Sequence, residues 1–124
     1  MASSIIIAED EQSVRDVIED ILGDFSTTVT PNGQEAYDEF IRCRAELIIT
    51  DLVMPEMDGV EFIKKVREID HSIPIIVITG YSHRQVESIK AGATYFFHKP
   101  IEYNTLVSQI EFLLSNRDIP PVVD

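Results

Sequence analysis

Five short apolar runs, Ile5 to Ile7, Thr27 to Val29, Leu47 to Ile49, Ile75 to Ile78 and Tyr95 to Phe97, recur along the chain. Each is short, and four are rich in β-branched or aromatic residues, so they predict strands. The segments between them carry apolar residues at helical spacing. Val14, Val17, Ile18, Ile21 and Leu22 share one face ahead of Gly23; Ala36, Tyr37, Phe40 and Ile41 form a second stripe; Val60, Ile63 and Val66 form a third. After the last strand come Leu106, Val107, Ile110, Leu113 and Leu114. The fourth segment is weak, with Val86 and Ile89 before Gly92 making barely two turns. Strand and helix alternating five times predict an α/β fold, a parallel sheet with helices on both faces joined by right-handed crossovers. The near-continuous apolar strands agree, because parallel strands are buried on both sides.

Composition sets bounds on this picture. A chain of 124 residues, 44% apolar and 26% charged, has enough apolar sequence for one core and no room for a second domain. Ten basic against 22 acidic residues leave a net charge of −12, which disfavours direct binding to a nucleic-acid backbone. No apolar stretch approaches the length of a membrane span and the N-terminus lacks a basic leader, so a soluble cytoplasmic protein is expected, without a membrane partner. The single cysteine, Cys43, can form no internal disulfide. No repeat or linker interrupts the alternating pattern. Pro120 and Pro121 cannot continue a helix, so residues 117–124 read as a tail or linker stub behind a domain of residues 4–116.

In an open α/β sheet, ligands bind outside the carboxyl ends of the strands, near the point where strand order reverses. The first strand runs into Glu9, Asp10 and Glu11, the third into Asp51, the fourth into Thr79 and Gly80, and the fifth into His98, Lys99 and Pro100. Carboxylates brought to one crevice repel one another and call for a cation, and an all-oxygen set selects a hard ion such as Mg²⁺. An aspartate is also a competent nucleophile toward phosphorus, a reaction that needs little beyond positioning and charge neutralisation. Asp51, ending the central apolar strand, is the expected acceptor, with Thr79 and Lys99 as neutralising groups.

Plainer roles exist for each residue. Asp10 can cap the first helix, Thr79 can be a β-branched strand residue and Lys99 a solvated lysine. Asp51 is harder to explain that way, because a carboxylate ending a run of Leu, Ile, Ile and Thr is costly to bury without a partner. His71, His83 and His98 show no metal-ligand spacing, Phe96 and Phe97 read as core, and Met54 and Met57 around Pro55 shape the loop after the acceptor.

Together, Ala8 to Glu11, the segment Asp51-Leu52-Val53-Met54-Pro55-Glu56-Met57-Asp58-Gly59, Val77 to Gly80 and Lys99-Pro100 resemble a response-regulator receiver domain of two-component signalling. The resemblance implies a doubly wound, flavodoxin-like sheet of five strands in the order 2-1-3-4-5 with five helices. It implies that Asp51 accepts a phosphoryl group from a sensor histidine kinase or phosphotransfer protein. Asp10 would ligate Mg²⁺ beside Asp51, Glu9 would hold the metal's water shell, and the carbonyl of Val53 would supply a backbone ligand. Thr79 and Lys99 would contact phosphoryl oxygens, Phe96 would rotate in concert with Thr79, and Lys99-Pro100 would be cis. The output would be a changed α4-β5-α5 surface acting on an effector domain, an output protein or a second copy of the chain. Such a switch catalyses its own phosphorylation and dephosphorylation and is not an enzyme on a separate substrate. Two positions depart from the common pattern: Glu9 stands where Asp is usual, and Phe96 where Tyr is frequent. Two rival readings are an aspartyl-phosphate phosphatase, which wants a second acid where Val53 stands, and an unphosphorylated pseudo-receiver, which would not need Asp51, Thr79 and Lys99 intact.

Overall fold

The computed structural model describes residues 4–115, so the predicted tail of residues 117–124 lies outside the described residues. In chain order the elements are β1 (Ser4–Ala8), α1 (Gln12–Ile21), β2 (Ser26–Thr30), α2 (Gly33–Cys43), β3 (Leu47–Thr50), α3 (Gly59–Arg67), β4 (Ile75–Thr79), a 3-10 turn (Ser82–Arg84), α4 (Gln85–Ala91), β5 (Tyr95–His98) and α5 (Tyr103–Ser115). The strands form one parallel sheet in the order β2-β1-β3-β4-β5, as expected. Order reverses at β1, which has β2 on one side and β3 on the other.

Alternation along the strands divides the interior into two layers. Ile6, Ala8, Ile48, Ile75 and Val77 pack with Ala36 and Phe40 of α2 and with Val60, Phe62, Ile63 and Val66 of α3. Ile5, Ile7, Leu47, Ile49, Ile76 and Ile78 pack with Ile18 and Leu22 at α1 and with Leu106 and Ile110 of α5. All these side chains are buried.

Four predicted core positions are corrected. Val17 and Ile41 are exposed, at the outer margins of stripes whose centres are buried. On α4 the weak pattern points the wrong way: Val86 and Ile89 are 64% and 45% exposed, while Ser88 and Ala91 turn toward the protein. Ser88 enters without an orphaned hydroxyl, because Oγ donates to the Gln85 carbonyl at 2.8 Å.

Caps define the helices on the α2–α3 side. Asn32 Oδ1 accepts from the Glu35 N–H at 2.8 Å and Asp58 Oδ1 from the Glu61 N–H at 2.9 Å. By contrast, α1 starts at Glu11 with no side-chain cap, so Asp10 does not fill the capping role. The far end of α4 is held by Arg67, whose Nε and Nη2 donate to the Gly92 carbonyl at 3.0 and 2.8 Å and whose Nη1 donates to the Asp70 carbonyl at 3.2 Å. Gly92 sits at φ 125°, with Arg67 Cγ 2.7 Å from where a β-carbon would stand, so both conformation and space require glycine.

Candidate functional site

Register brings the chemistry together. The last rungs of the sheet pair Ala8 with Thr30 and Thr50, and Thr79 with His98. One residue beyond, the Glu9 N–H donates to the Thr30 carbonyl at 3.0 Å, the Asp51 N–H to Ala8 at 3.0 Å and the Lys99 N–H to Thr79 at 2.8 Å. Glu9, Asp51 and Lys99 therefore leave the sheet at the same end, Glu9 and Asp51 at the switch point and Lys99 from the edge strand, although up to 90 residues separate them in sequence.

Their side chains meet. Lys99 Nζ lies 2.8 Å from Glu9 Oε1 and 2.8 Å from Asp51 Oδ2. The remaining oxygens face backbone: Asp51 Oδ1 accepts from the Leu52 N–H at 2.6 Å, and Glu9 Oε2 from the Glu11 N–H at 3.2 Å. Glu9 and Asp51 are only 2% and 6% exposed, whereas Asp10 is open to solvent. Burial pushes the Glu9 carboxyl above its ordinary range, a rise that the Lys99 hydrogen bond only partly offsets. Burial alone would depress the Lys99 ammonium, but hydrogen bonds to Asp51 and Glu9 outweigh it and hold it above its usual value.

One carboxylate oxygen from each of Glu9, Asp10 and Asp51 lies within 4.8 Å of the others, a set that could hold a metal ion. The donors are all hard oxygens, which fits a small divalent cation better than a soft one. Both Glu9 oxygens already have partners, so Glu9 suits contact through water, while the exposed Asp10 is free to approach an ion directly.

Thr79 is fully buried, and its Oγ1 accepts from the Tyr81 N–H at 3.3 Å. Phe96, on β5, is half-buried against the α2–α3 layer, and Phe97 packs on the opposite layer. Val53 is 40% exposed, two residues after Asp51, and Tyr81 is 46% exposed, two residues after Thr79. Met54 and Met57 are buried and anchor that loop. The loop returns tightly: the Gly59 N–H donates to the Leu52 carbonyl at 2.8 Å, and a β-carbon on Gly59 would stand 2.1 Å from the Asp51 carbonyl oxygen. Only glycine fits there. Asp58 Oδ2 lies 3.6 Å from Arg84, which also reaches Glu87 at 2.8 Å, so an ion pair spans from the loop after Asp51 to the start of α4. The Lys99-Pro100 peptide is cis. His71, His83 and His98 are exposed and belong to no metal-ligand cluster among the described residues.

Residues 5–111 match the model of the response regulator receiver domain. The chain belongs to that family. The receiver domain is 30% identical to the chemotaxis protein CheY of Thermotoga maritima over 89% of its own length and 96% of that protein. It is 33% identical to the transcriptional regulatory protein SrrA of Staphylococcus aureus over 92% of its length, but spans only 48% of SrrA. Two other relatives are likewise covered only in part, at 32% and 52% of their lengths. The receiver domain of a signal transduction histidine kinase from Syntrophus aciditrophicus superposes with a TM-score of 0.88 at 31% identity, covering 99% of this chain and 98% of that one. A CheY-like receiver from Methanospirillum hungatei, at 22% identity and TM-score 0.89, shows the same fold.

Two contributors were not evident from sequence. Arg15 Nη1 donates to the Glu9 carbonyl at 2.7 Å, and the Glu11 N–H holds the Glu9 carboxylate. The available signal for Arg15 is that it is the only basic residue of α1.

Proposed function

We propose that this receiver domain is a phosphoacceptor switch in which Asp51 takes a phosphoryl group from a histidine kinase or phosphotransfer protein. The observation that carries the reading is a buried Asp51 carboxylate bonded to the Lys99 ammonium, with the Glu9 and Asp10 carboxylates beside it. A carboxylate oxygen of Asp51 forms a bond to phosphorus as the donor's phosphorus–nitrogen bond breaks, its electron pair returning to the donor imidazole. Lys99, already against Asp51, then meets a phosphoryl oxygen. The Thr79 hydroxyl exchanges its Tyr81 partner for another, and Phe96 follows it inward. Asp10, Asp51 and the Val53 carbonyl would hold Mg²⁺, with Glu9 acting through water, and the bound ion would supply charge neutralisation for the approaching phosphoryl oxygens. Beside Lys99 an apolar groove lined by Val14, Val17, Ile78, Ile101 and Tyr103 offers a landing place for the donor.

The same reading makes residues 4–116 the switch and residues 117–124 a tail or the start of a linker to an effector. The output passes through the α4-β5-α5 face to an effector, an output protein or a second copy. Among the described residues no helix is long and apolar enough to cross a membrane, which suits the proposed cytoplasmic setting. Val53 in place of a second acid argues against a phosphatase acting on separate substrates.

Intact mass after incubation with a small acyl phosphate tests the acceptor. One phosphoryl adduct is expected with Mg²⁺, none with chelator and none in Asp51→Asn; equal labelling of that variant would place the acceptor elsewhere.

A further inference from the structure

Glu9 is fixed on every side. Its N–H bonds Thr30, and its two carboxylate oxygens take Lys99 and the Glu11 N–H. Its carbonyl takes Arg15 Nη1 at 2.7 Å. Arg15 is itself braced: Nη2 donates to Gln12 Oε1 at 2.9 Å, and Gln12 Nε2 donates to Asp16 Oδ1 at 2.9 Å. This chain of bonds runs along the first turns of α1, the helix whose start has no side-chain cap. The Glu9 carbonyl shares one rigid plane with the Asp10 N–H. Holding that oxygen therefore sets where the exposed Asp10 departs relative to the buried Glu9.

We propose that Arg15 is a positioning residue for the acidic site. By gripping the Glu9 carbonyl it orients the Glu9–Asp10 peptide, and so the spacing of the Glu9, Asp10 and Asp51 carboxylates toward a divalent cation. The proposal rests on the reading of this cluster as a metal site. Its sign separates it from simple electrostatics. A guanidinium close to a dication repels it, so if charge alone mattered, removing Arg15 would tighten binding. If position matters, removal loosens binding.

The test is calorimetric titration of Mg²⁺ alone into the unphosphorylated protein at fixed ionic strength, with thermal melts run in parallel. Loss of an outer partner of a metal ligand costs about tenfold or more in affinity, so Arg15→Ala is expected to bind Mg²⁺ about tenfold more weakly. Arg15→Lys keeps the charge and one donor and recovers part of the loss. Gln12→Ala, which removes only the brace, falls between wild type and Arg15→Ala. A purely structural role would lower the melting temperature while leaving Mg²⁺ affinity unchanged. Unchanged or tighter binding in Arg15→Ala overturns the proposal. Should that variant fail to fold, unchanged affinity in both Gln12→Ala and Arg15→Lys overturns it. Absence of Mg²⁺ binding by wild type removes the metal reading and this proposal together, whereas normal wild-type binding with insensitive variants refutes only the role of Arg15.

Discussion

Replacing Lys99 with Met exposes the energetics of the site. The substitution keeps an unbranched stem but removes the ammonium bonded to both Glu9 and Asp51. Two nearly buried carboxylates then face each other, with oxygens no more than 4.8 Å apart. At an effective dielectric of about 20, two unit charges at that separation repel by about 3.5 kcal/mol. Stripping one partner from a buried ion pair costs a similar amount, about 3–5 kcal/mol. Denaturant unfolding at pH 7.5 with chelator should thus show Lys99→Met less stable by about 3–4 kcal/mol. Burial already raises the Glu9 carboxyl, and the Lys99 hydrogen bond pulls it back. Deleting Lys99 removes that pull, so the variant's carboxyl rises further. An acid whose folded pKa exceeds its unfolded value takes up protons on folding, so its penalty is present at high pH and fades as pH falls through the raised value. The gap to wild type should therefore narrow between pH 7.5 and pH 5. It should also narrow at pH 7.5 on adding Mg²⁺, which can neutralise the same oxygens. A gap equally large at both pH values and insensitive to Mg²⁺ would show that the loss is one of packing, and the electrostatic argument would fail.

Two further outcomes concern the phosphorylated state. Moving a switch from 1:99 to 99:1 takes about 5.5 kcal/mol, and charge-assisted hydrogen bonds supply about 1.5–3 kcal/mol each, so Thr79 and Lys99 are needed together. Thr79→Ala should accept phosphate yet shift the amide resonances of residues 82–97 only part of the way; full wild-type shifts would refute this. Val53, exposed two residues after Asp51, carries no group able to act as base, so Val53→Glu should hasten phosphate loss about tenfold or more. Unchanged or slower decay of labelled protein would remove Val53 from control of the attacking water.

The strands were legible because a buried parallel strand writes itself as an unbroken apolar run, and Ile5, Ile48 and Ile76 all lie at the centre of the sheet. The convergence of Glu9, Asp10, Asp51 and Lys99 followed from strand ends alone, whereas the Thr79 hydroxyl meets only the Tyr81 N–H. Helix faces were less legible at their margins. A stripe gives the direction of burial but not how far a neighbour covers it, which is why Val17 and Ile41 emerge into solvent while Phe62, outside the predicted stripe, is buried. In α4, seven residues are too few to fix a phase, and the core there is built from Ser88 and Ala91. Arg15 could not be assigned from spacing, because its partner is a carbonyl, which every residue possesses.

The two ends of α4 are moored unequally. Arg67 grips the Gly92 carbonyl with two bonds, whereas the start of the helix has no side-chain cap and its tie to Asp58 is a single part-exposed pair at 3.6 Å. In a rocking about Gly92, which keeps the Arg67 bonds, travel increases with distance from that pivot. Seven residues at about 1.5 Å each make a lever of about 10 Å, so a tilt of about 10° carries the end away from Gly92 about 2 Å. That end is the one that the 3-10 turn joins to Thr79 and Tyr81, and its swing carries the exposed Val86 about twice as far as Ile89. The fold thus turns a small rotation into a graded displacement of the outward apolar face.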